Sequence, residues 1–180
     1  VLAVDECFLD FLPEVEGLSA KHLLKNSKKL IILKAFTKLY GMAGVRLGYC
    51  LCSDTELLAR MRAAGQPWAV SSLAQAAGIA ALDETEYVAK VRALIEAQRP
   101  VLADGLRALG LRGIEGRANY LLFRAPEALG EALRRKGAVL RSCGNYPGLD
   151  ASWYRTAVRT ENENRQLLAL LAETLPEVAQ

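Results

Sequence analysis

The 180-residue chain reads as an α/β protein in two lobes. Three observations predict this. Short apolar runs, Val1-Leu2-Ala3-Val4 and Leu30-Ile31-Ile32-Leu33, end in polar or glycine-bearing turns, the pattern of strands buried in a sheet. From Glu84 to Leu109 apolar residues recur at helical spacing, and a helix of that length naturally joins two lobes. After Gly110 strand and helix patterns alternate again. The predicted organisation is a sheet-bearing lobe over 1–83, a connecting helix over 84–109 and a small α/β lobe over 110–180.

Composition narrows the function classes. With 52% hydrophobic and 24% charged residues, the chain has the make-up of a soluble globular protein. No apolar run approaches the roughly 20 residues of a membrane helix, and no signal-peptide pattern opens the chain. The net charge of +3 is small and spread along the sequence, which argues against nucleic acid and leaves small anions as ligands. Cysteines 7, 50, 52 and 143 fit no zinc spacing, and the lone histidine, His22, has no metal-binding company. Reduced thiols and a cytoplasmic location are expected.

In chain order, Val1 to Val4 read as a buried parallel strand that delivers Asp5 to its C-terminal end, where open parallel sheets bind ligands. Pro13 to Ser27 is polar and suits a loop with a short helix around Leu18 to Leu24. Leu30 to Ala35 is the next strand and Gly48 to Cys52 another. Ser53-Asp54 can cap a helix from near Thr55. Gly65 and Pro67 break the pattern, and Trp68 suits either core packing or a place near a site. Ser71 or Ser72 can cap an alanine-rich helix running to Leu82. Pro100 should kink or restart the long helix. Leu111 to Glu115, Tyr120 to Phe123, Ala138 to Arg141 and Tyr154 to Val158 read as strands. Pro126 to Lys136 is a helix with proline in its first turn and Gly137 past its end. An amphipathic helix over Glu161 to Leu175 closes the chain.

The chemistry concentrates in Ala35-Phe36-Thr37-Lys38-Leu39-Tyr40-Gly41-Met42-Ala43-Gly44-Val45-Arg46-Leu47-Gly48-Tyr49. A lysine just after a buried strand is partly desolvated, which lowers its pKa and suits it to a Schiff base. Thr37 offers a hydroxyl, Arg46 a planar fork for phosphate, and Gly41, Gly44 and Gly48 allow close approach of backbone to a ligand. A lysine–aldehyde adduct beside a bound phosphate describes pyridoxal 5'-phosphate. Downstream, Arg141 enters a glycine- and proline-bearing loop. Arg155, Ala157 and Arg159 alternate onto one strand face, so both arginines could address one carboxylate or phosphate. Asn119 is a turn residue before a strand.

The Thr37-Lys38 to Gly48-Tyr49 string resembles the cofactor-lysine segment of fold-type I pyridoxal-phosphate enzymes. It is most similar to the threonine-phosphate decarboxylase and histidinol-phosphate aminotransferase branch of the class I/II aminotransferase family. The string Asp5-Glu6-Cys7-Phe8-Leu9-Asp10-Phe11 looks more like the decarboxylases, because many transaminases place tyrosine where Phe8 stands. The resemblance implies the C-terminal part of the aspartate aminotransferase-like fold, with the rest of the large domain upstream of Val1. It implies Lys38 as the Schiff-base lysine, Asp5 as partner of the pyridine nitrogen, and Thr37 and Arg46 on the cofactor phosphate. It implies Arg155 on the substrate carboxylate and Arg141 on a substrate phosphate. Asn119 matches a polar active-site position, and Arg159 stands where the aminotransferases usually have glycine. The expected reaction is decarboxylation of L-threonine O-3-phosphate, with histidinol-phosphate-type amino transfer as the alternative. The expected partner is a small phosphorylated amino acid, in a homodimeric full-length enzyme. The chain alone is expected to bind the cofactor weakly and to be nearly inactive, and a non-catalytic binding domain is the third reading.

Overall fold

The computed structural model describes residues 1–178. The chain packs as two compact units, Val1–Arg92 and Ala93 onward. The division falls inside the long helix.

The first unit holds a three-stranded sheet. Its centre is β2 (Leu30–Ala35), with β1 (Leu2–Asp5) parallel on one side and β3 (Gly48–Leu51) antiparallel on the other. Leu30, Ile31 and Ile32 are buried, as a central strand requires, and each such side chain contributes about 1.5–3 kcal/mol. The β1 strand departs from expectation. It forms, but Leu2, Ala3 and Asp5 are exposed, because β1 is the edge of this sheet. A Cβ on Gly48 would lie 2.9 Å from the Lys34 carbonyl, so this glycine lets β3 close on β2 rather than admitting a ligand. Gly41, at φ +65°, makes the turn after Lys38.

Between β1 and β2 run the short helix α1 (Val15–Leu18) and a 3-10 segment (Ala20–Lys25), the latter where a helix around Leu18 to Leu24 is predicted. After β3, Asp54 caps α2 (Thr55–Ala64) by accepting from the Leu57 N–H. Ser71 caps α3 (Ser72–Leu82) through the Ala74 N–H. Trp68, 90% exposed, packs in no core.

The helix α4 (Thr85–Ala108) runs through Pro100 without restarting. Its later turns open the second unit. There β4 (Arg112–Ile114), β5 (Tyr120–Arg124), β6 (Arg141–Ser142) and β7 (Trp153–Ala157) form an antiparallel sheet in the order β4-β5-β7-β6. Helices α5 (Leu129–Arg135) and α6 (Glu161–Val178) complete it. α5 starts three residues later than predicted, because Pro126 makes a turn ahead of it whose carbonyl accepts from the Leu129 N–H. Gly137, at φ +85°, follows its end. One core joins Leu102 and Leu106 of α4, Leu129 and Leu133 of α5, and Leu171 of α6 to Leu121, Phe123 and Tyr154 of the sheet. All three helices therefore share one sheet face. By strand alternation the opposite face carries Tyr120, Leu122 and Arg155.

Leu129 is fully buried in this core. Leu129→Ala is expected to cost about 2–5 kcal/mol. A denaturant titration of the second unit's secondary structure would show the midpoint fall.

Candidate active site

The turn after β2 presents Lys38. Phe36 and Leu39 on either side of it are buried, and Phe36 stacks on Tyr40 with ring centroids 5.2 Å apart. The Phe36 N–H donates to the Leu47 carbonyl, and the Gly41 N–H to the Lys38 carbonyl. With its neighbours anchored inward, Lys38 stands out from the turn and is exposed. This chain therefore does not desolvate it, contrary to expectation. Its ammonium lies 5.3 Å from the centroid of the Phe8 ring, a cation–π distance.

Asp5 ends β1 and is exposed. Its Oδ1 accepts from the Cys7 backbone N–H at 2.9 Å. The Cys7 thiol, that N–H and the nearby charge of Lys38 hold its carboxyl below the usual range, against a smaller opposing effect of burial. The same contacts act in reverse on Cys7. Burial first, then the hydrogen bond and charge of Asp5, push its thiol up from 9.0 to about 11.

Thr37 is half-buried in the Lys38 turn. Arg46 is exposed and has left-handed backbone, φ 59° and ψ 48°; among the described residues only it and four glycines have positive φ. Its Nη1 donates to the Ala43 carbonyl at 2.9 Å. A non-glycine residue held there is a mark of functional turns.

Behind Asp5 and Lys38 lies a charge cluster absent from the sequence reading. Lys34 Nζ meets Asp10 Oδ1 at 2.7 Å and Glu6 Oε2 at 3.3 Å, with the Lys34 and Glu6 side chains only 4% and 5% exposed. The Ser19 hydroxyl and the Ala20 N–H donate to Glu6. Burial opposes the ammonium, but Asp10 and Glu6 outweigh it and raise the Lys34 pKa. A lysine directly after the apolar run Leu30-Ile31-Ile32-Leu33 was the available signal; its partners Glu6 and Asp10 lie far off in sequence.

The second unit holds the arginines. Arg141 and Arg155 are direct partners across β6 and β7, so their side chains leave the same face. That face is opposite the one on which α4, α5 and α6 pack. The Arg155 guanidinium lies 4.9 Å from the centroid of the Tyr120 ring. Arg141 donates to Asn145 Oδ1 at 3.0 Å and lies 5.8 Å from the Tyr146 ring. Gly144 allows this loop to fold back, since a Cβ there would lie 3.1 Å from the Ala151 backbone.

Arg159 does not join them. β7 ends at Ala157, and Arg159 is ion-paired to Glu163 at 2.6 Å. The Thr160 N–H and hydroxyl both donate to the Glu163 carboxylate at the start of α6. Arg159 and Thr160 together pull the Glu163 carboxyl down to about 2. Asn119 accepts the Val158 N–H with its backbone carbonyl, while its side-chain Oδ1 is buried without a hydrogen-bond partner. Such an acceptor is costly unless a donor arrives.

The donor set fits pyridoxal 5'-phosphate. Lys38 is an amine with no ion pair to the described residues, Asp5 is a carboxylate held ionised, and Arg46 is a guanidinium on a glycine-bearing turn.

Residues 1–171 match the family model of aminotransferases of class I and II. A curated relative, the threonine-phosphate decarboxylase of Salmonella typhimurium, is 37% identical over 99% of this chain and 50% of its own length. The crystal structure of histidinol-phosphate aminotransferase from Clostridium acetobutylicum superposes with a TM-score of 0.90 at 30% identity, over 97% of this chain and 54% of that one. The histidinol-phosphate aminotransferase of Sinorhizobium meliloti, solved in complex with pyridoxal-5'-phosphate, gives 0.78 at 25% identity, over 99% and 48%. The chain thus spans about half the length of the relatives it matches, and its fold is the corresponding part of theirs.

The Asp5–Cys7 contact can be read directly. Alkylation of Cys7, followed by peptide mass mapping against pH, is expected to rise with an inflection at about 11 rather than 9.0. In Asp5→Asn the inflection should fall yet stay above 9.0, because burial remains.

Proposed function

The chain belongs to the aminotransferase class I and II family, and on that premise we propose that its whole enzyme decarboxylates L-threonine O-3-phosphate to 1-amino-2-propanol phosphate. The observation that carries this reading is the Arg141–Arg155 pair. Like charges directly opposite each other on neighbouring strands destabilise a sheet. Two guanidiniums on one open face suit a substrate with two anions, a carboxylate and a phosphate. Phe8 supports decarboxylation over amino transfer, since its ring beside Lys38 carries no hydroxyl. The similarity to a threonine-phosphate decarboxylase supports it further.

When bound, pyridoxal 5'-phosphate supplies an electron sink for a carbanion at Cα. Asp5, whose carboxylate the Cys7 N–H and thiol keep ionised, would pair with its ring nitrogen. Thr37 and Arg46 would hold its phosphate. Lys38 would be the amine that holds it and would supply the proton that Cα takes up. On the second unit, Arg155 would take the substrate carboxylate and Arg141 the substrate phosphate. Asn119 offers its unpartnered oxygen to a donor of the bound substrate. The Cα–carboxylate bond breaks, carbon dioxide leaves, and a Cα–H bond replaces it. The reading includes a cytoplasmic homodimer, and the four free thiols are consistent with the reducing location. Amino transfer on histidinol phosphate is the second reading, supported by the similarity to histidinol-phosphate aminotransferases.

Three measurements on the full-length enzyme test this. Borohydride reduction with pyridoxal 5'-phosphate should label the peptide containing Lys38, and a label on Lys34 would refute the assignment. Phosphothreonine should release carbon dioxide, with little glutamate formed or consumed when histidinol phosphate is supplied; the reverse result selects the aminotransferase. Arg141→Ala should raise KM for the phosphorylated substrate about tenfold or more, from loss of a charge-assisted bond of about 1.5–3 kcal/mol.

A further inference from the structure

We propose that the buried Lys34–Glu6–Asp10 cluster is a positioning device that holds Asp5 and Lys38 in register with each other. The inference rests on the cofactor reading above for its purpose, and on geometry for its substance.

Asp5 and Glu6 are adjacent at the end of β1 and point to opposite faces of the sheet. Asp5 sits opposite Leu33 of β2, and the Glu6 N–H donates to the Leu33 carbonyl at 3.0 Å. Glu6 thus turns inward beside Lys34, while Asp5 turns outward. Lys34 lies on β2 four residues before Lys38. One buried ammonium therefore clamps the two strand ends that carry the carboxylate and the amine.

The clamp extends to the segment that bears Phe8 and Cys7. Asp10 is its far end, bonded to Lys34 at 2.7 Å, and the Arg92 Nε donates to the Asp10 carbonyl at 2.9 Å. Glu6 accepts from the Ser19 hydroxyl and the Ala20 N–H, which pins the segment leading to β2. Breaking a buried ion pair by removing one partner is strongly unfavourable. Removing the ammonium leaves Glu6 facing Asp10 with no cation between them, so the Glu6-to-Phe11 segment must move. Asp5 and Cys7 move with it.

The sign of one shift separates positioning from simple charge. The charged groups acting on Cys7 are Asp5, Lys38 and Lys34. The positive charge of Lys34 lowers the Cys7 pKa, so losing that charge with no movement raises it above about 11. Movement of the segment instead solvates the thiol and parts it from Asp5, which lowers it towards 9.0.

The experiment follows Cys7 alkylation against pH in Lys34→Met, Lys34→Arg and Asp10→Asn, each first shown to melt cooperatively. The expected result is an inflection well below 11 in Lys34→Met, a smaller fall in Asp10→Asn, and return to about 11 in Lys34→Arg. If Lys34→Met does not fold, Asp10→Asn with Lys34→Arg decides. An unchanged or higher inflection in a folded Lys34→Met, or in Asp10→Asn alone where that decides, overturns the proposal. In parallel, imine absorbance on titrating pyridoxal 5'-phosphate into the full-length enzyme should weaken tenfold or more in Lys34→Met and recover in Lys34→Arg. Loss of imine in every variant including the parent, with the Cys7 shifts as expected, would refute the cofactor reading and leave the clamp standing. Imine binding unaffected by Lys34→Met would overturn the clamp's role at the site.

Discussion

A lysine buried in the middle of a sheet is costly unless it is paired, and here it has two carboxylates within reach. Desolvating an ammonium and a carboxylate costs several kcal/mol each in effective terms, and their attraction offsets this only with good geometry and filled lone pairs. The Ser19 hydroxyl and Ala20 N–H fill those of Glu6. Replacement by packed apolar side chains could stabilise the first unit as well. What apolar packing cannot do is fix direction. An ion pair between adjacent strands holds both the pairing and the facing of the residues beside it, and here those residues are Asp5 and, four positions along from Lys34, Lys38.

The remainder of the first unit follows from that pairing. With β1 and β2 locked parallel, their C-terminal ends emerge together, where an open parallel sheet presents its ligand groups. The turn then needs only two inward anchors, Phe36 and Leu39, to push Lys38 outward. Gly48 lets the return strand close on β2. The sheet edge at β1 stays open in this chain, so the apolar Val1 and Leu2 lie exposed.

Much of this was legible in the sequence because it is local. Strand and helix periods, the Asp54 and Ser71 caps and the Gly137 terminator all depend on neighbouring residues. The Lys38 turn was legible as a motif. The Lys34 cluster was not, because its partners are 24 and 28 residues away and periodicity says nothing of pairing. Arg159 misled for the opposite reason. Alternation placed it on the face of Arg155, but the strand stops at Ala157 and the Glu163 carboxylate four residues on takes the guanidinium. Exposure was the other failure: a lysine after a buried strand is desolvated only if something lies over it, and in this chain nothing described does.

The second unit breaks a local rule of sheet pairing at one place. Arg141 facing Arg155 across two strands is unfavourable for a sheet. The protein softens it by laying one guanidinium against Tyr120 and the other against Tyr146 and Asn145. Neither contact neutralises a charge. By contrast, Arg124 on the same sheet pairs with Asp150, and Arg159 with Glu163. Acidic partners were thus available to arginines nearby, yet among the described residues Arg141 and Arg155 have aromatic and amide neighbours that orient a guanidinium without satisfying its charge. An anion arriving between them would relieve the repulsion as well as gain two forks, so its binding is strengthened by an unfavourable term already present in the folded chain.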